Sequence, residues 1–337
     1  MPTYSDHVNL LVWRDADGAE HPIKSAEDWK QRREHILAAT QLVMGPLPDD
    51  SRRVPVNMQV IAEERLERFI RRKITFAVEK NDRLPAYLLI PNDLKQKSPA
   101  VLRLHQTTAI GKAEPAGLGG KESLHYAADL AERGFITLAP DYSYFGENKE
   151  DPYAMGYQSA TMKGIWNHMR CVDLLQSLPQ VDPDRIGCIG HSLGGHNTLF
   201  LAAFDHRIKA SVTNCGFTSF PKYYNGNLTG WTSDKYMPRI ASVYNKDPKQ
   251  VPFDFPEVLA AIAPRAVLVI APVHDDNFEV SGVKDCVSAA SRVFNLLSAR
   301  NNLIARYPNC AHDFPEGERD AAYDWLAHWL RDEESRR

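Results

Sequence analysis

The chain has no long apolar run, no surplus of charge of either sign and little cysteine, and each shortage removes a class of function. Among 337 residues, 40 Lys and Arg stand against 43 Asp and Glu, a net charge of −3. Such a balance gives no broad attraction for nucleic acid or for an acidic membrane surface. The basic clusters Arg52-Arg53 and Arg71-Arg72-Lys73 have acidic neighbours and read as solvated faces. No stretch approaches the length that spans a bilayer, so no membrane partner is expected. The five cysteines (Cys171, Cys188, Cys215, Cys286 and Cys310) are odd in number and scattered through apolar sequence. That is the pattern of buried thiols and not of a disulfide framework. The start, Met1-Pro2-Thr3-Tyr4-Ser5-Asp6-His7, is polar and lacks the basic-then-apolar order of a secretory leader. A cytoplasmic location is expected, although a leader removed before residue 1 would leave the same start. These exclusions leave a globular protein whose partner is a small or neutral molecule, with a homodimer as the default assembly.

The order of apolar runs divides the chain. Residues 1–55 read as an N-terminal helical extension, with an amphipathic helix from Ser25 to about Val43, Ser25 placed as its cap and Gly45-Pro46-Leu47-Pro48 ending it. Residues 56–337 read as one catalytic domain. Two strand-like segments, Glu67–Glu79 and Leu84–Ile90, flank the polar turn Lys80-Asn81-Asp82-Arg83 and predict an antiparallel hairpin. From Pro99 the pattern becomes short apolar runs alternating with helices, the mark of a parallel sheet with crossover helices. The runs lie at 100–104, 135–139, 185–189, 210–213, 266–270 and 303–307, and the helices at 121–133, 156–177, 194–203, 283–299 and 316–330. The fold class is therefore α/β, with an eight-stranded, mostly parallel sheet. Residues 216–256, rich in aromatics, glycine and proline, interrupt the alternation and read as a lid-like insertion. Its Phe217, Phe220, Tyr223, Tyr224, Trp231 and Tyr236 could equally line a pocket or form a small core of their own, as could Tyr142 and Tyr144. The end, Glu333-Glu334-Ser335-Arg336-Arg337, reads as a polar tail.

Chemistry enters at Gly190-His191-Ser192-Leu193-Gly194, directly after the apolar run Arg185–Ile189 and directly before a helical pattern. The string alone is common, but strand, then serine-bearing turn, then helix is the context of a nucleophile elbow. A serine hydroxyl is a poor nucleophile, so it needs a general base and a carboxylate that holds that base in one tautomer. In this topology the acid follows a later strand and the histidine follows the last. The loop after Val267–Ile270 carries Asp275 and Asp276, and the loop after Ile304–Tyr307 carries His312. His312 is assigned as base and Asp275 as acid, with Asp276 a rival that adjacency cannot separate. Charge developing on a substrate oxygen calls for two backbone N–H donors. Leu193 supplies one, and the loop Leu104-His105-Gln106-Thr107-Thr108 the other, through Thr107 or else Gln106. His274 with Asp275-Asp276 and His312-Asp313 lacks the helical spacing of a metal site, so no metal is expected. His191 and His196 are expected to pack or hydrogen-bond.

On the segments Leu104-His105-Gln106-Thr107, Ala139-Pro140-Asp141-Tyr142, Gly190–Gly195, the Asp275 loop and His312-Asp313-Phe314-Pro315, the chain resembles α/β-hydrolases. The group concerned is that of dienelactone hydrolases, acetyl xylan esterases and prolyl oligopeptidases. The resemblance covers about Arg71 to Leu330. It implies cofactor-free hydrolysis of an ester or related acyl group through an acyl-enzyme at Ser192 and is silent on substrate, for which a small-molecule or carbohydrate ester carrying an acetyl or aromatic acyl group is the leading expectation. A His-Gly pair is common at the first of these loops, and Gln106 stands where that glycine would be. A peptidase or amidase with the same triad, or a binding protein on the same fold, are the alternatives. A serine in place of the cysteine of strict dienelactone hydrolases favours an esterase.

Overall fold

Strands that are buried on both faces and helices with one apolar stripe set the architecture. The computed structural model describes residues 2–331, so the polar tail expected at 333–337 lies outside the described residues. In chain order come strands β1 (Val12–Arg14) and β2 (Glu20–Pro22), helix α1 (Ala26–Met44), and strands β3 (Gln59–Arg65), β4 (Phe69–Glu79), β5 (Asp82–Pro91) and β6 (Ser98–Leu104). Then follow α2 (Tyr126–Glu132), β7 (Ile136–Pro140), α3 (Ala160–Ser177), β8 (Val181–His191), α4 (Leu193–Phe204) and β9 (Ile208–Asn214). The chain continues through α5 (Arg239–Ser242), α6 (Phe255–Ala260), β10 (Ala266–Ile270), α7 (Val280–Leu296), β11 (Leu303–Arg306) and α8 (Glu316–Leu330). No helix among the described residues is long and apolar enough to cross a membrane.

The chain forms two compact units. The first comprises residues 2–47, Tyr153–Met162 and Phe217–His312, and the second Pro48–Pro152, Lys163–Gly216 and residues 313–331. In the second, seven strands lie in the order β9-β8-β6-β7-β5-β4-β3. Strands β6 to β9 run parallel, as their alternation with helices predicts. Strands β3, β4 and β5 are antiparallel. In the first unit β10 and β11 pair in parallel and β1 and β2 form a short antiparallel hairpin. The six expected parallel strands are thus all present.

The expected eight strands must be corrected by one, because β3 precedes the predicted hairpin. All seven of its residues are exposed. Its sequence holds only the short apolar run Val60-Ile61-Ala62 before three charged residues, with no alternation to mark a strand. The β4–β5 turn is tighter than expected, with Glu79 opposite Asp82 and Asn81 in the left-handed region (φ 62°). A two-residue hairpin turn asks for such a residue there. Helix α3 starts at Ala160 and not at Gly156, where the Ser159 hydroxyl accepts from the Met162 N–H at 3.0 Å.

The first unit opens on α1, whose cap is the expected Ser25. Its hydroxyl accepts from the Asp28 N–H (3.1 Å), and the Asp28 carboxylate accepts from the Ser25 N–H (3.0 Å). The helix buries Trp29, Ile36, Val43 and also Arg32, which pairs with the buried Glu257 of α6. The aromatic insertion builds its own core. Phe217, Phe220, Tyr223 and Trp231 are buried. Phe220 has Phe253, Phe255 and Trp231 around it at 5.5, 5.6 and 5.9 Å between ring centres. Tyr224 alone among the buried-core candidates of this stretch is fully outward, 53% exposed. In the second unit Tyr142 is buried against His105 (4.2 Å), while the Tyr144 hydroxyl donates to Asp151 (2.7 Å).

Candidate active site

Ser192 occupies the turn between β8 and α4 with φ 54° and ψ −117°. A non-glycine residue held there stores about 1–3 kcal/mol of strain, so the surroundings must enforce it. They do so through the backbone. The Ser192 N–H donates to Asn214 O of β9 (2.9 Å), and Ser192 O accepts from the Gly195 N–H (2.8 Å). The two glycines of the motif are there for space. A Cβ on Gly190 would lie 2.2 Å from the Gly194 carbonyl carbon, and one on Gly194 would lie 1.9 Å from Leu104 O. Gly195 meets Gly216 in the same way, its Cβ falling 2.7 Å from the Gly216 Cα. The motif is a three-way contact of β6, β8 and α4 that no side chain could enter.

Leu193 is the first residue of α4. The first N–H groups of a helix have no partner within it, so that of Leu193 is placed to meet a developing negative charge. On the β6 side of the same unit, His105 is fully buried and its Nδ1 lies 2.6 Å from Gln106 O. Burial pushes the His105 imidazole down to about 4, which keeps it neutral. Its Nδ1 therefore donates to the Gln106 carbonyl and fixes the peptide that joins Gln106 to Thr107. The Gln106 side chain turns inward and donates to the buried Glu114 carboxylate, which also accepts from the Lys121 N–H at 2.8 Å. Glu114 thus holds the side chain of Gln106, the residue that stands where a glycine is common. Thr107 is exposed.

His191 and His196 pack, as expected. His191 Nδ1 lies 2.7 Å from the Asn214 amide nitrogen, and His196 Nδ1 lies 3.1 Å from Gly216 O. Burial pushes His196 down to about 3. Asn214 also donates to Asp313 O (3.1 Å), tying the end of β9 to the chain that leads into α8.

In the first unit, the loops after β10 and β11 are laced together by backbone bonds. Ala271, Val273 and His274 donate to Arg306, Pro308 and Cys310 at 2.9, 3.0 and 3.1 Å. That lacing brings His312 Nδ1 to 2.9 and 3.0 Å from the two oxygens of Asp275. A carboxylate can only accept, so Nδ1 carries the proton and Nε2 is left with its lone pair. Asp275 Oδ1 also accepts from the Asn277 and Phe278 N–H groups (2.9 and 3.0 Å). Burial of Asp275 pushes its carboxyl up, but the His312 bond and the backbone donors outweigh it and hold the group below the usual range. The Asp275 side chain is 1% exposed and that of His312 25%. The Phe278 ring stands 6.1 Å from His312 and 6.1 Å from Trp231, so the insertion's aromatic core extends to the imidazole. Asp276, the sequence rival, is exposed and makes no hydrogen bond among the described residues. His274 is turned to Asn309 (2.8 Å).

Five residues came from motif and loop order: Ser192, Leu193, Thr107, Asp275 and His312. The supporting groups did not. His105 lies in the oxyanion-loop segment without a role assigned to it, Glu114, Asn214 and Phe278 belong to no motif, and their bonds join chain positions that spacing alone does not relate.

A family model described as glucuronyl esterase, fungi, matches residues 142–298. The putative hydrolase YtaP of Bacillus subtilis is 28% identical over 253 residues, 72% of this chain and 81% of that protein. The quorum-quenching protein AidA of Acinetobacter baumannii is 30% identical over 204 residues, 57% of this chain and 62% of that one. Among solved structures, a glucuronoyl esterase from Solibacter usitatus superposes with a TM-score of 0.75 at 18% identity, covering 98% of this chain and 99% of that chain. A putative acetyl xylan esterase from Bacteroides fragilis gives 0.65 at 19%, covering 92% and 85%. At these identities the likeness to the solved structures is one of fold.

Proposed function

We propose that this chain, an α/β-hydrolase by its fold, is a serine-dependent carboxylic ester hydrolase that acts on carbohydrate esters through an acyl-enzyme. The observation that carries the reading is the Ser192 turn, a strained backbone fixed by glycines that tolerate no side chain. The Asp275–His312 pair, on the loops where this topology puts acid and base, supports it.

In the proposed reaction Ser192 Oγ attacks the ester carbonyl carbon and its proton passes to His312 Nε2. The electron pair displaced onto the carbonyl oxygen is met by the Leu193 and Thr107 backbone N–H groups. The C–O bond then breaks, and the sugar alcohol leaves with the proton returned by His312. A water, deprotonated by His312, attacks the acyl carbon, and expulsion of Ser192 Oγ with that proton releases the acid. Asp275 holds the Nδ1–H tautomer and stabilises the imidazolium throughout. No cofactor enters any step. The names of the structural relatives, a glucuronoyl esterase and a putative acetyl xylan esterase, support a sugar-borne ester as the substrate.

The test is turnover of p-nitrophenyl acetate, butyrate and octanoate, acetylated xylan and methyl ferulate, beside Ser192→Ala. The reading predicts hydrolysis of the short-chain and carbohydrate esters that vanishes in the variant. Hydrolysis of amides in preference to matched esters, or turnover that survives Ser192→Ala, would overturn it.

A further inference from the structure

The N-terminal hairpin and helix α1 line an open cavity of about 400 Å³ to which neither the acid loop nor the histidine loop contributes. That volume sits in the lower part of the range of small-molecule sites. Trp13, Arg14, Asp15, Gln31 and His35 line it.

Its charged side chains are already committed to hydrogen bonds within the N-terminal segment. The Arg14 guanidinium donates to Glu20 at 2.6 and 3.1 Å and to Thr3 O at 2.8 Å. The Asp15 carboxylate takes His21 Nε2 at 2.7 Å and the Asp17 and Ala19 N–H groups at 3.0 and 2.9 Å. An anionic ligand would find no uncommitted cation there, since Arg14 is held by Glu20 and Thr3.

The other walls are rigid and polar-edged. The Trp13 indole stacks on His21, its cross-strand partner, with ring centres 4.6 Å apart and 25° between planes. His35 Nδ1 lies 2.8 Å from the Tyr4 hydroxyl, and burial followed by the nearby Arg32 charge pushes the imidazole down, so it is neutral. The Trp13 indole N–H, the Gln31 amide and His35 Nε2 make no hydrogen bond among the described residues. The cavity therefore presents an aromatic ring stacked on His21, the open polar groups of Trp13, Gln31 and His35, and no uncommitted cation. A pyranose has the complementary surface, with an apolar C–H face for the ring and hydroxyls that both donate and accept.

We infer that this cavity binds a neutral sugar unit, at a site separate from the Ser192, Asp275 and His312 machinery. The inference comes from the walls of the cavity and stands apart from the esterase reading. Together with that reading it would make the N-terminal extension a hold on the glycan that carries the ester.

Full-length Ser192→Ala protein, titrated calorimetrically with cellobiose, xylobiose, mannobiose and glucuronic acid, tests it without turnover. At least one neutral disaccharide should bind with millimolar Kd and more tightly than glucuronic acid. Gln31→Ala should weaken it by about 3- to 10-fold and Trp13→Ala by about 10-fold or more. Trp13→Phe, which keeps an aromatic face, should restore part of the loss and guards against a misfolded alanine variant. In the Ser192 protein, neither Gln31→Ala nor Trp13→Phe should change turnover of p-nitrophenyl acetate. No neutral disaccharide binding at about 10 mM, binding indifferent to both Gln31→Ala and Trp13→Phe, or tighter binding of glucuronic acid would each overturn the inference. Failure of the esterase reading would show instead as absent ester turnover, a different readout.

Discussion

At the scale of single residues, Asp275 and Asp276 show what geometry adds to a motif. Loop order brought the acid to two adjacent carboxylates and could go no further, because neighbours on a loop point apart in ways that spacing does not record. The bond to His312 separates them. Asp275→Asn should therefore cost about 10⁴ in kcat, through the wrong imidazole tautomer, while Asp276→Asn should stay within a few-fold of the parent. Steady-state kinetics of the two variants decides this, and a larger loss at Asp276 would exchange their roles. The second oxyanion donor was legible only as a choice between Thr107 and Gln106. The link from Gln106 to Glu114 and the bond from His105 could not be foreseen, since both arise where β6 ends inside the second unit.

At the scale of elements, helical and strand periods carried most of the information, and they failed where burial does. Strands β6 to β11 announce themselves as apolar runs, whereas β3 is exposed along its whole length and has no period to read. The aromatics of 216–256 were ambiguous in sequence because pocket and core use the same residues. Their ring contacts make Phe220, Trp231 and Phe278 a core that buttresses His312. Element contacts also fix which glycines matter. Gly194→Ala drives its Cβ into Leu104 O and should destabilise the protein by more than about 3 kcal/mol. Gly317, in the first turn of α8, has open space around it, with nothing within 4 Å of where a Cβ would sit, so Gly317→Ala should stabilise by up to about 1 kcal/mol. Urea denaturation of both variants checks the pair, and equal effects would contradict the contact at the elbow.

At the scale of the whole molecule, titration of internal pairs ties stability to pH. His7 bonds Glu257 at 2.8 Å. Burial opposes its protonation, but the Glu257 bond and charge prevail and raise its pKa. A raised folded-state pKa gives a contribution fully present below the unfolded value of about 6.5 and lost as pH rises through the folded one. Asp275, whose pKa is depressed, contributes above about pH 3.9 and loses that contribution as pH falls through its folded value. His7→Asn should accordingly lower Tm most below about pH 6.5 and progressively less as pH rises through the folded-state pKa. Melting curves of the two proteins across that range would contradict the pairing if their difference did not depend on pH.

The proposed function rests on one claim, that His312 activates Ser192. Labelling with a fluorophosphonate, followed by peptide mass analysis, tests it most directly because the reagent reacts only with an activated hydroxyl. The account predicts a single adduct on Ser192 in the parent protein and none in His312→Gln or Ser192→Ala. An adduct on another residue, or labelling of Ser192 that persists without His312, would contradict it.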